Sequence, residues 1–251
     1  LAAVVLAVVA PVAGAQPDPF PPATVTQLAR ATFREYLDFL AMPNDAIVPA
    51  DIQKNTAWLE AAFRKRGFET RQLPNDGKPM LFAEWPAKVA GAKTVLFYMH
   101  MDGMPVVPAE WAQPNPWVPV VKARGGDGKW GVVPTERLFA EPLDPELRVF
   151  ARSSSDDKGP IMMFLAAFDG LKAAGLNPAV NVKVLLDTEE EKGSPSIPPV
   201  VRAHRDLLKA DAIVIHDGPR HASERPTLIF GNRGATRVTL TVFGPRTPLH
   251  S

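Results

Sequence analysis

Four segments of the chain carry apolar residues at helical spacing: residues 25–40, 51–66, 157–174 and 197–209. In the first of them, Val25, Leu28 and Leu40 fall on one face, as in an amphipathic helix. Gly67 and Gly175 follow the second and third segments, where glycine commonly ends a helix. The pattern therefore predicts four helices.

Six shorter segments have strand-like patterns: residues 69–73, 80–84, 94–99, 180–186, 212–215 and 236–243. The sequence TVLFYM at 94–99 is continuously apolar, which is typical of a strand buried on both faces. Residues 236–243 alternate between apolar and polar, as in a strand with one solvated face. Residues 105–147 show little periodicity and are predicted to form a long ordered loop with a short hairpin. Helices alternating with buried strands predict an α/β fold, with a mixed, largely parallel sheet flanked by helices.

Composition narrows the possible classes of protein. The 251 residues include 28 basic and 27 acidic ones, and 46% of the residues are apolar. Such a chain can bury a large core. The balanced charge, without a run of Lys or Arg, argues against nucleic acid as the main partner.

The first fifteen residues are predicted to form a signal peptide. They are apolar, too short to span a bilayer comfortably, and end in the small-x-small sequence Ala13-Gly14-Ala15. A buried N-terminal helix is the alternative, which the following proline-rich stretch disfavours. We therefore expect cleavage before Gln16 and a periplasmic or secreted protein without a membrane anchor. The chain has no cysteine, so stability must come from packing and metal binding.

Four acidic or histidine clusters follow predicted strands or open a predicted helix. They are His100-Met101-Asp102, Ser155-Asp156-Asp157-Lys158-Gly159, the glutamates Glu189, Glu190 and Glu191, and His216-Asp217-Gly218. Each cluster has an ordinary structural explanation, such as a helix cap, a turn or a solvated loop. Together, however, carboxylates at one sheet edge repel one another unless a cation is present. Imidazole and carboxylate ligands suit zinc.

The residues around these clusters resemble a known family. The stretches FYMHMDGMPVVP, ARSSSDDKGP, EEEKGSPSIPP, AIVIHDGP and PLHS follow one another in the order found in the dinuclear zinc metallopeptidases. That family includes carnosinase, cytosolic dipeptidase, glutamate carboxypeptidase, aminoacylase and succinyl-diaminopimelate desuccinylase. The resemblance runs from about residue 25 to the end of the chain and implies a zinc-exopeptidase-like catalytic domain with two zinc ions.

The resemblance also implies roles for individual residues. The implied metal ligands are His100, Asp156, Glu191 and Asp217. The implied catalytic residues are Glu190 as general base, Asp102 as the group orienting the His100 ring, and His250 as an oxyanion-stabilising residue from a neighbouring subunit. Family members often have a cis peptide bond after the aspartate that corresponds to Asp156, which bridges the two metals. We expect Glu189 to be structural, and we assign no site role to His216.

The chain departs from the family pattern at several positions. Met99, Ala151 and Ser153 stand where glycines are common in the family. Residues 16–234 correspond to the N-terminal part of the catalytic domain, and residues 235–251 to the first strand of a truncated α+β lid or dimerisation domain. The last zinc-binding histidine would lie beyond the chain. We therefore expect a fragment that is inactive alone and holds its second zinc weakly.

The function implied by the resemblance is hydrolysis of amide bonds in small peptides, of the dipeptidase or exopeptidase type, by a homodimer assembled through the lid. Two alternatives remain open at this point. One is an N-acyl amino-acid deacylase with the same machinery, and the other is a non-catalytic truncated relative that binds zinc.

Overall fold

The computed structural model describes residues 20–218, 221–223, 225, 227–231, 234, 236 and 238–244. The chain divides into two units, Leu1–Asp217 and Gly218–Ser251. The predicted signal peptide lies outside the described residues and stays a prediction. Within the described part of the chain, every helix is too short or too polar to cross a lipid bilayer.

The described residues of the first unit form five α-helices: α1 (Pro22–Leu40), α2 (Pro49–Lys65), α3 (Lys158–Ala173), α4 (Ile197–Ala203) and α5 (Arg205–Leu208). Helices α1 to α3 confirm the helices predicted at these places. Gly67 and Gly175 follow α2 and α3 with φ of +95° and +67°, a conformation that glycine adopts at little cost. Short 3-10 helices are also present, at Pro108–Glu110, Thr135–Phe139 and Glu190–Lys192.

The prediction of one helix over residues 197–209 is wrong, because the segment breaks into α4 and α5. His204 lies between them with φ −121° and ψ 30°, which is outside the helical region. Val200 of α4 and Leu208 of α5 pack into the same apolar cluster. The break therefore allows both short helices to turn an apolar side chain towards the sheet.

In the part of the chain that the structure describes, eight strands form two sheets: β1 (Glu69–Leu73), β2 (Met80–Trp85), β3 (Thr94–His100), β4 (Val120–Arg124), β5 (Trp130–Val133), β6 (Arg148–Phe150), β7 (Asn181–Asp187) and β8 (Ala212–Ile215). The larger sheet has the order β1-β2-β7-β3-β8. Strand β3 pairs in parallel with β7 and β8, whereas β2 pairs antiparallel with β1 and β7. The predicted mixed α/β sheet flanked by helices is confirmed.

Helices cover both faces of the larger sheet. On one face, α1, α2 and α3 bury aromatic residues that include Phe39, Phe63 and Phe164. Alternate side chains of β7 point to opposite faces of the sheet. Val184 packs in this cluster, and Leu185 packs against α4 and α5 on the other face. The strands are therefore fixed between two apolar layers, and their carboxyl ends are held in place relative to one another.

The smaller sheet, β5-β4-β6, is antiparallel. Its strands β4 and β5 lie within residues 105–147, the region predicted to form a long loop with a hairpin, and β6 follows directly after that region. Strands β4 and β5 form that hairpin, with Gly128 in its turn at φ +78°. Val121 packs in an apolar cluster with Phe33 and Leu37 of α1.

In the second unit, the predicted strand at 236–243 is wrong for the described residues, which are not in a strand. Val238, Leu240 and Val242 are exposed there. A strand needs a hydrogen-bonded neighbour, and the described residues of this unit supply none. Arg237 lies outside the described residues, and the assignment of 235–251 to a lid domain stays a prediction.

Candidate metal centre

The topology brings the predicted clusters to one edge of the larger sheet. His100 ends β3 and lies opposite Asp187, the last residue of the parallel neighbour β7. On the other side of β3, strand β8 ends just before His216 and Asp217. The carboxyl ends of parallel strands meet at one edge, which is where open α/β sheets bind ligands.

His100 lies at the centre of this edge and is fully buried. Its Nε2 is 2.8 Å from Asp156 Oδ1 and 3.7 Å from Asp217 Oδ2. Its Nδ1 is 3.1 Å from the backbone oxygen of Asp102 and 3.4 Å from Asp102 Oδ1. Two acceptors at Nδ1 favour a proton there, which leaves Nε2 facing Asp156 and Asp217.

The charge around His100 is strongly negative. Burial by itself disfavours the imidazolium, but the hydrogen bond with Asp102 and the charges of Asp157, Asp102 and Asp217 outweigh it and raise the pKa of His100 to about 10. A positive charge is thus strongly favoured at this place in the metal-free chain.

His100, Glu190 and Asp217 form a group of possible metal ligands. One ligand atom from each of them lies within 4.8 Å of those of the other two. Asp156 adds a carboxylate in contact with the His100 ring. One imidazole and several carboxylates are a donor set that zinc accepts, so the residues present fit the metal that the resemblance implies.

Asp102 connects the β3 end to the glutamates. It is fully buried, and its Oδ1 and Oδ2 accept hydrogen bonds from the backbone nitrogens of Glu190 and Glu191, at 3.0 and 3.2 Å. The same carboxylate therefore holds the first turn of the glutamate segment and contacts the His100 ring.

Glu190 and Glu191 lie in an unfavourable environment for negative charge. Burial raises the pKa of both carboxyl groups, and nearby acids such as Asp102 and Asp156 raise it further. His100 offsets only part of this effect.

Glu189 is in the opposite situation. It is buried and forms an ion pair with Lys78. Asn75 and Ser196 also donate hydrogen bonds to its carboxylate. Burial alone would raise the pKa of Glu189, but the hydrogen bonds from Lys78, Ser196 and Asn75 lower it. This arrangement agrees with the structural role expected for Glu189.

The turn before α3 supplies the remaining carboxylates. The peptide bond between Asp156 and Asp157 is cis. Asp157 is buried, and its Oδ2 accepts a hydrogen bond from the His100 backbone nitrogen at 3.1 Å, whereas its Oδ1 is buried and has no hydrogen-bonding partner among the described residues. Burial raises the pKa of Asp157 to about 8.

His216, to which the sequence analysis assigns no site role, is not among the three residues of this group. The backbone nitrogen of His216 donates to the Tyr98 oxygen, and burial lowers the pKa of its ring. His250 lies outside the described residues.

Sequence reasoning missed two residues that support the site. Lys78 neutralises Glu189, and Asn44 connects two of the loops at this edge. Both are far from every motif in the sequence, so no spacing could have indicated them.

Known proteins place these observations in a family. The sequence pattern of the peptidase family M20/M25/M40 matches residues 96–248. The protein named Cys-Gly metallodipeptidase dug1 of Schizosaccharomyces pombe is 32% identical over 201 residues, which cover 77% of this chain and 37% of that protein. The human protein named Beta-Ala-His dipeptidase is 28% identical over 171 residues, which cover 65% of this chain and 29% of that protein.

Solved structures agree with these matches. The M20 family metallo-carboxypeptidase Sso-CP2 from Sulfolobus solfataricus aligns with a TM-score of 0.62 and 25% identity, covering 78% of this chain and 39% of that one. The structure of human carnosine dipeptidase 1 has the same fold, with a TM-score of 0.60 and 19% identity over 77% of this chain and 40% of that one. The chain thus spans less than half the length of these relatives. The predicted resemblance is confirmed, and the chain belongs to the peptidase family M20/M25/M40.

Proposed function

We propose that the protein is a metal-dependent hydrolase of amide bonds in small peptides, of the dipeptidase or exopeptidase type. The observation that carries the proposal is the convergence of His100, Glu190 and Asp217 within 4.8 Å at one sheet edge. The names of the relatives, Cys-Gly metallodipeptidase and Beta-Ala-His dipeptidase, support the substrate class.

The proposed metal is zinc, with two ions per complete site. His100, Asp156 and Asp217 would hold one ion, and Asp156 and Glu191 would contribute to the other. A bound pair of zinc ions polarises the scissile carbonyl and makes water a good nucleophile at neutral pH. Asp102 would keep the Nδ1 proton of His100 in place, so that Nε2 is free to act as a ligand.

Glu190 is proposed as the general base that accepts a proton from the attacking water and delivers it to the leaving amine. Burial raises its pKa, which brings the carboxyl group closer to the range useful for proton transfer near neutral pH. Its backbone is held by Asp102. Because Glu190 also belongs to the group of possible ligands, the roles of Glu190 and Glu191 must be separated by experiment.

Three further parts of the proposal concern the protein outside the described site. We propose that residues 1–15 direct export, that the active protein is a homodimer, and that His250 of one subunit stabilises the oxyanion in the other. The apolar run that ends in Ala13-Gly14-Ala15 supports export, and the resemblance of PLHS to the family motif supports the homodimer and the role of His250.

Substrate panels provide the test. The intact protein is assayed with Cys-Gly, β-Ala-His and other dipeptides, and in parallel with N-acetyl and N-succinyl amino acids. We expect dipeptide hydrolysis that a chelator abolishes, that zinc restores, and that Asp217→Asn reduces strongly. If only the N-acyl amino acids were hydrolysed, the proposed peptidase activity would be refuted and the protein would be a deacylase. Activity that is unchanged by chelation and by Asp217→Asn would refute the metal site.

A further inference from the structure

Asn44 follows helix α1 and belongs to none of the motifs, yet it is fully buried. Its Nδ2 donates hydrogen bonds to the backbone oxygen of Met101 at 2.8 Å and to Ser153 Oγ at 2.9 Å. Its own backbone oxygen accepts a hydrogen bond from the Gly103 nitrogen at 2.9 Å. One side chain therefore joins the segment that carries His100 to the turn that precedes Asp156.

The three loops at this point fit one another closely. Ser153 has φ +60°, a left-handed conformation that is uncommon for a residue with a side chain. Its Oγ lies only 2.3 Å from the position that a Cβ on Gly103 would occupy, and Asn44 Nδ2 is 3.0 Å from the same position. A side chain at residue 103 would therefore displace both polar groups, so glycine is needed there.

The turn at 153–158 is also tied to helix α1. Tyr36 donates a hydrogen bond to the Ser154 oxygen. Lys158 Nζ donates to the backbone oxygens of Phe39 and Met42 at 2.8 and 2.7 Å. These contacts fix the turn to α1 and to the residues that follow it, whereas Asn44 donates hydrogen bonds both to the turn and to Met101 in the loop after β3.

We propose that Asn44 is a positioning residue for the metal centre, acting by setting the separation between His100 and Asp156. This inference rests on the proposed function, because it assumes that these two residues hold a metal ion. A change in loop separation alters the distance between two ligands that lie on different segments, and metal affinity depends on that distance.

The test measures metal affinity separately from folding. Asn44→Leu removes the amide donors while keeping a side chain of similar length, and Ser153→Ala removes only the hydrogen bond that crosses to the turn. Zinc and cobalt(II) dissociation constants are measured on the metal-free protein by competition with a chromophoric chelator. We expect Asn44→Leu to weaken zinc binding about tenfold to hundredfold, with a changed cobalt absorption spectrum, and Ser153→Ala to weaken it less.

Asn181 provides a matched control at the other edge of the same sheet. Its Nδ2 also donates to a backbone oxygen and to a hydroxyl, those of Ala92 at 3.1 Å and Thr94 at 3.3 Å. Asn181→Leu should lower the unfolding midpoint in chelator and leave the zinc dissociation constant of the folded protein unchanged.

The possible outcomes separate this inference from the proposed function. If the unmodified protein binds no metal, or if Asp217→Asn does not weaken binding, the proposed function fails. If the unmodified protein binds zinc through Asp217 and the Asn44 and Ser153 variants bind it equally well, only the positioning role of Asn44 is refuted. If Asn44→Leu does not fold, unchanged zinc affinity in Ser153→Ala is enough to refute it.

Discussion

Glu189 and Glu190 are neighbours in the sequence, but their environments are opposite. Glu189 is neutralised inside the protein by Lys78, and its pKa is lowered. Glu190 faces other acids at the sheet edge, and its pKa is raised, as is that of Glu191. The fold thus provides a cation for one glutamate and leaves the other two in an excess of negative charge.

This difference distinguishes Glu189, which has a structural role, from Glu190 and Glu191, which are placed to interact with a bound cation. A buried carboxylate that lacks a partner normally costs stability, and such groups are retained where they have a function. Lys78 pairs with Glu189. A cation from solution would relieve the repulsion among the remaining acids, which His100 offsets only in part, and this is the physical argument for a metal at this edge.

The largest expected effect is a difference in kcat between substitutions at Glu190 and at Glu189. In the intact protein, Glu190→Gln should lower kcat about 10²–10⁴-fold while both metals remain bound, because only the proton acceptor is lost. Glu189→Gln should leave the kcat of the folded enzyme nearly unchanged. Steady-state kinetics with metal analysis by mass spectrometry provide the measurement. Loss of zinc in Glu190→Gln and full zinc in Glu191→Gln would exchange the two proposed roles.

The next effect concerns stability. Lys78→Met leaves Glu189 without its cation in a largely buried place, since the two side chains are only 15% and 8% exposed. Removing one partner of such a pair should lower the free energy of unfolding by about 3 kcal/mol. Lys54, which pairs with Asp51 at the surface, is the control, and Lys54→Met should cost below about 1 kcal/mol. Equal effects of the two substitutions in urea unfolding would contradict the assignment.

Asp102→Asn tests the link between the two sides of the site. Glu190 and Glu191 donate to different oxygens of Asp102, and asparagine replaces one of these oxygens by an amide NH2, which cannot accept. We expect zinc affinity or activity to fall about 10–100-fold. An unchanged zinc dissociation constant together with an unchanged rate would exclude this role for Asp102.

The smallest effect is the pH dependence of stability in the metal-free protein. Glu189 has a lowered pKa in the folded state, so its contribution is fully present above the usual value of 4.5 and is lost as pH falls through the folded pKa. Glu190 has a raised pKa, so its ionisation opposes folding at higher pH. The gap in unfolding free energy between the unmodified protein and each glutamine variant should therefore change with pH in opposite directions. If both gaps changed with pH in the same direction, the proposed difference between the environments of Glu189 and Glu190 would be refuted.

Short-range sequence patterns predicted the elements that depend on residues close together in the chain. The apolar runs of β3 and β7 and the glycines after α2 and α3 predicted those elements. The break at His204 was not predicted. It depends on how Val200 and Leu208 pack against the sheet, and a short-range sequence pattern contains no information about that packing.

The site shows the same division. The residues around His100 and Asp217 follow strand ends and match a motif, so the sequence indicated them. Lys78 and Asn44 act through contacts with residues more than fifty positions away, at Glu189, Met101 and Ser153. Such contacts exist only after the chain has folded, and a single sequence gives no signal for them.

The most direct test of the cation argument is the unfolding midpoint of the intact protein, measured in chelator and in excess zinc, for the unmodified protein, Glu191→Gln and Glu189→Gln. In chelator, Glu191→Gln should raise the midpoint by about 1–2 °C, because it removes an unfavourable charge. In excess zinc, the unfolding midpoint of the same variant should be lower than that of the unmodified protein, because the variant lacks a metal ligand. Glu189→Gln should lower the midpoint in both conditions. A Glu191→Gln variant that is destabilised equally with and without zinc would contradict the claim that these acids await a metal ion.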